Sequence, residues 1–155
     1  MANDNQLKLV STVFSHNGHI PKQYTCEGKN VNPPLKILNI PSGIKTFAII
    51  VEDPDAPNGT FDHWLLWNIP INEAIAEGST PGISGTNNFG KTGYSGPCPP
   101  SGVHRYFFKL YALDNELEIK PGAKKNELLD AMKGHVLATA ELMGLYQKQK
   151  HTVTG

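Results

Sequence analysis

Leu7–Phe14 mixes apolar and polar positions and reads as a first strand. Leu35–Ile40 alternates, with Leu35 and Ile37 on one face and Leu38 and Ile40 on the other. Thr46–Glu52 carries an unbroken apolar run, Phe47–Val51, and reads as a buried strand. His63–Ile69 is aromatic-rich and stops at Pro70. His104–Leu113 is the longest strand candidate, placing His104, Tyr106, Phe108 and Leu110 together on one face. Helical spacing enters only late. Asn126 is the expected cap of a helix over Glu127–Lys133, Val136–Leu142 resumes helical spacing up to Gly144, and Leu145–Lys150 is a short final strand. No helix-length segment separates the earlier strands, which argues against βαβ units. The expected fold is mainly β, an antiparallel sandwich with short C-terminal helices, in one domain over 1–155.

Composition sharpens this picture. Gly (15) and Pro (12) make up about 17% of the chain against an expected ~12%, which favours short strands and many turns. Fourteen Lys and Arg balance fourteen Asp and Glu without a block of one sign. A nucleic-acid footprint and a polybasic membrane anchor are therefore not expected. The apolar runs fall far short of the ~20 residues of a membrane span, so no membrane insertion is expected. The start, MANDNQLKLV, shows no basic region followed by an apolar one. Two cysteines, Cys26 and Cys98, make no disulfide framework. They are expected as reduced thiols in a cytoplasmic protein, with a single disulfide as the alternative.

Between Ile71 and Val103 the chain has little periodicity but is dense in Gly and Pro, and long ordered loops in compact domains tend to be functional. Polar residues gather beside the strands: Asp53-Pro54-Asp55-Ala56-Pro57 after one, His63 opening the next, and His104-Arg105-Tyr106 opening the longest. Meeting at one rim, they bring carboxylates, imidazoles and a phenol together. Three chemistries are open to such a group. A metal site has suitable ligands, but no compact ligand spacing is present. A serine nucleophile, Ser95 or Ser101, lacks the GxSxG elbow. An anion pocket suits the hydrogen-bond donors best.

The strings DPDAP (53–57), HWLLWNIP (63–70) and GYSGPCPPSGVHRY (93–106), in this order and spacing, resemble the phosphatidylethanolamine-binding protein family. GHVLATAELMG (134–144) is similar to its bacterial Raf-kinase-inhibitor-like branch. The resemblance implies a β-sandwich with Greek-key features and a pocket for phosphate or phosphate-bearing head groups. It carries the pocket to Asp53, Asp55, Pro57, His63, Gly96, Pro97, His104 and Tyr106. In the expected arrangement Asp53 holds the shape, His63 and His104 present N–H groups, Tyr106 adds a hydroxyl, and Gly96 lets the loop backbone approach the ligand. An Ala56–Pro57 cis bond is expected at the rim. Asn32-Pro33-Pro34-Leu35 departs from the family's usual Ser-Pro-Pro-Leu, and no tryptophan follows it. The expected function is binding or regulation without catalysis, a cofactor or a metal. A protease- or kinase-inhibitory protein is the alternative, and a phosphoester hydrolase the lesser one. A protein partner is not identified, and the oligomeric state stays open, with a homodimer among the options.

Overall fold

In a computed structural model, residues 6–148 are described. Two sheets pack face to face. The smaller orders β1 (Lys8–Val10), β3 (Leu35–Leu38) and β6 (Ala74–Ile75). The larger has β2 (Gly18–His19) and β9 (Val136–Gln147) at one side. It continues through β8 (Val103–Leu113), β4 (Thr46–Asp53) and β5 (Phe61–Ile69) to β7 (Ile83–Ser84). All pairings are antiparallel except β2–β9, which is parallel.

Both faces of β4 are covered, which is why its sequence is apolar without alternation. Phe47, Ile49 and Val51 enter the core between the sheets, with Leu9, Leu35, Ile37, Trp64 and Phe108. Ala48 and Ile50 face the other way, into a second cluster with Leu65, Trp67, Leu128 and Met132 under α1 (Lys125–Met132). Trp64 and Trp67 thus fill different cores from one strand, each essentially inaccessible. Burying such a side chain is worth roughly 1.5–3 kcal/mol or more.

The C-terminal region departs from expectation. The helix begins at Lys125 rather than after Asn126, because Glu127 reaches back to accept the Lys124 backbone N–H (3.2 Å). It is the one α-helix among the described residues. Residues 136–142 are strand, not helix. Val136, Ala138, Ala140 and Leu142 fit a period of two, while Val136, Leu137 and Ala140 fit one side of a helix. Register against all of β8, from Leu113↔Val136 to Val103↔Gln147, decides between them. The last strand candidate, from Leu145, is the end of β9, and its Gln149 and Lys150 lie outside the described residues. The long loop before β8 holds two strands of two residues each, β6 and β7, too short for periodicity to show. No helix among the described residues is long and apolar enough to cross a membrane.

Candidate functional site

The topology brings the three polar clusters to one edge. β4 lies between β5 and β8 and runs antiparallel to both, so the end of β4 meets the beginnings of β5 and β8. Asp53, His63, His104 and Tyr106 therefore converge.

A β-bulge aims His63. Val51 pairs with Trp64, yet Glu52 pairs with Asp62 and Asp53 with Phe61, leaving His63 as the extra residue. Strict alternation would put His63 on the face opposite Trp64. The bulge keeps it on the side of Tyr106, whose ring it meets edge-on at 5.3 Å. It also turns Asp62 to the other face, where Glu52 and Asp62 share Lys125 (2.9 and 2.7 Å).

Asp53 is buried and committed on both oxygens. Oδ1 accepts the Asp55 backbone N–H (2.7 Å), and Oδ2 accepts from Nδ1 of His104 (2.6 Å). His104 is itself buried, so the pair sits in the wall rather than on an exposed rim. Nδ1 of His63 donates to the Ser95 carbonyl (2.7 Å). That fixes the tautomer, because a carbonyl can only accept. Burial is the leading influence on His63 and holds it below the ordinary histidine range, outweighing the Ser95 carbonyl and the Asp53 and Asp62 carboxylates. Tyr106 is fully buried, and its hydroxyl makes no hydrogen bond of good geometry, with Asp53 and the Cys98 backbone as its polar neighbours. Burial first, then the Asp53 charge, pushes the phenol far above its usual range, so it remains a donor.

These groups line a cavity of about 390 Å³. Its wall includes five of the expected site residues: Asp53, Pro57, His63, His104 and Tyr106. Asp55, Gly96 and Pro97 lie off it. Asp55 faces outward and clamps Arg105 through Nε (2.9 Å) and Nη2 (2.8 Å), which draws its carboxyl down to about 2. Gly96 makes its close approach to the protein. A Cβ there would lie 2.1 Å from the Tyr24 carbonyl oxygen. Its N–H donates to Asn30 Oδ1 (2.7 Å), while the Pro97 carbonyl accepts from Cys26 N–H (3.1 Å).

The same junction is closed covalently. Cys26 and Cys98 form a disulfide, which corrects the expectation of two reduced thiols. It also removes the cysteines as an argument for a reducing compartment. Two residues 72 apart in sequence cannot be paired from spacing alone; the fold brings their Cα atoms to 5.4 Å. The Ala56–Pro57 bond is trans, against the expectation of a cis bond.

Sequence reading missed the cavity's apolar walls, which come from Phe61, Phe89, Pro99 and Pro100. Phe61 was visible in principle, two positions before His63. Phe89 joins from the loop, 4.6 Å from the Phe61 ring, with no local signal. The serine alternative finds no support at Ser95. His63 meets its carbonyl, and its hydroxyl accepts from Asn87 (3.0 Å).

Comparison with known proteins agrees with this architecture. PH1269 of Pyrococcus horikoshii, a UPF0098 protein, is 52% identical over 151 residues, covering 90% of this chain and 76% of its own. The crystal structure of CT736 from Chlamydia trachomatis superposes with a TM-score of 0.90 at 43% identity, covering 94% of this chain and 99% of that one. Escherichia coli YbcL, described as a member of the mammalian PEBP family, matches at 0.85 and 28%, with 93% and 99% covered. The family model for phosphatidylethanolamine-binding protein matches residues 10–147. The chain belongs to the phosphatidylethanolamine-binding protein family.

Proposed function

We propose that this protein binds a small anion of the phosphate or phosphate-ester type in the cavity at the ends of β4, β5 and β8, and that it does so without turnover. The observation that carries this reading is the buried Tyr106 hydroxyl on the cavity wall, which makes no hydrogen bond of good geometry to the described residues. A buried donor without a partner costs about 1–3 kcal/mol, and an anion in the cavity relieves that cost. His104 adds Nε2–H when its ring is charged, its Nδ1–H being held by Asp53 in either charge state. The apolar walls from Phe61, Phe89, Pro99 and Pro100 suit an organic group attached to the anion.

Calorimetric titration of phenyl phosphate into wild type and Tyr106→Phe tests the site. Loss of the hydroxyl should weaken binding by roughly 5- to 100-fold. Equal affinity in the two proteins refutes the assignment. Mass spectrometry of co-purified small molecules identifies the ligand carried. Recovery of the added ester unchanged after long incubation separates binding from hydrolysis.

A further inference from the structure

We infer that this cavity selects an oxyacid that keeps an acidic proton, a phosphate monoester in its singly ionised form, over an anion of the same shape and charge that has none. The inference rests on the anion-binding reading above and deepens it. Its basis is the unequal hydrogen-bonding character of two buried neighbours. Tyr106 offers an O–H that makes no hydrogen bond of good geometry to the described residues, and so calls for an acceptor. His63 offers the opposite. Its Nδ1–H is spent on the Ser95 carbonyl at 2.7 Å, which leaves Nε2 as the ring nitrogen for a ligand in the cavity that His63 lines. In the neutral ring Nε2 is a lone pair, which calls for a donor.

The groups around His63 keep it in that state. Asp53 from β4, Asp62 from its own strand, Tyr106 from β8 and the Ser95 and Gly96 backbone stand near it, together with the Phe61 and Phe89 rings, and His104 lines the same cavity. The carboxylates favour a charged ring, but burial to 3% exposure dominates and favours the neutral one. A monoester monoanion satisfies both neighbours at once. Its P–OH donates to Nε2 of His63, and a phosphoryl oxygen accepts from Tyr106. A sulfate monoester has the same charge and only acceptor oxygens, so it sets an oxygen lone pair against that of His63. His104 affects both ligands alike.

The test compares phenyl phosphate with phenyl sulfate by titration calorimetry on the wild-type protein between pH 6 and 8.5. Near pH ~6 about half of a phosphate monoester still carries its proton. The phosphate is expected to bind at least about tenfold more tightly there. Its affinity relative to that of the sulfate should then fall, approaching about tenfold per pH unit, as the proton is lost; any change at His104 acts on both esters and cancels in the ratio. Equal affinity at pH 6, or a phosphate affinity that rises with pH, overturns this inference and leaves anion binding standing. Failure of both esters to bind overturns both readings. A second measurement needs no ligand. Nitrogen-15 NMR of labelled histidine at pH 7 should show His63 with a protonated Nδ1 and a bare Nε2; a proton on Nε2 refutes the inference.

Discussion

Opening the Cys26–Cys98 disulfide should cost stability and affinity together. The bridge joins residues 72 apart, and loop-closure entropy for a ring of that size corresponds to about 4 kcal/mol at 25 °C on the chain-entropy account. For a domain of this length each kcal/mol moves the melting temperature by about 2–4 °C, so reduction should lower it by roughly 10–15 °C. Cys26 is exposed, which gives a reductant access. Cys98 lines the cavity, and the loop it anchors supplies the Ser95 carbonyl that orients His63. Phenyl phosphate should therefore bind more weakly to Cys26→Ser/Cys98→Ser. Thiol titration in denaturant comes first, expecting no free thiol before reduction and two after. Calorimetric melts with and without reductant then give the shift. Coincident melts of protein shown to be oxidised and reduced would refute the reasoning.

His104→Ala should destabilise the fold by about 2–4 kcal/mol in urea unfolding, because Asp53 is left buried without its imidazole. Adding Asp53→Asn to it should cost less than the two single changes summed. Gly96→Ala drives a methyl against the Tyr24 carbonyl and should cost about 1–3 kcal/mol, read by the same unfolding curves. Asp55 should stay ionised down to about pH 2 in an NMR titration, and Arg105→Ala should return it towards ~4. Because its folded value is depressed, its contribution to stability is present above pH ~4 and is lost as pH falls through about 2.

Strands with strong local signals were legible in the sequence. The saturated run of β4 and the alternation of β8 follow directly from their burial on two faces and on one. The family resemblance supplied the pocket positions, and topology explains why five of the eight converge on one cavity. What was not legible depends on partners distant in sequence. Residues 136–142 satisfy two periods, and only pairing with β8 chooses one. Gly96 packs against the backbone of residue 24, and the cysteines meet across 72 positions of sequence. His63 shows the same dependence. A histidine in a sequence suggests an N–H free for a ligand, but the fold spends its Nδ1–H on the Ser95 carbonyl, 32 positions away.

The bulge in β5 bears on which ions this fold can admit. Without the extra residue, the pairing that sets Val51 against Trp64 would continue as Glu52 against His63 and Asp53 against Asp62. Two carboxylates would then face each other across the strands, and the imidazole would lie on the far side of the sheet. Such a cavity would repel anions and attract cations. Closing the bulge by a one-residue shift of the strand's start would thus exchange carboxylate and imidazole between the two faces without altering a single side chain in the wall opposite. The charge that this edge of the sheet presents to the cavity is set by a count of peptide units.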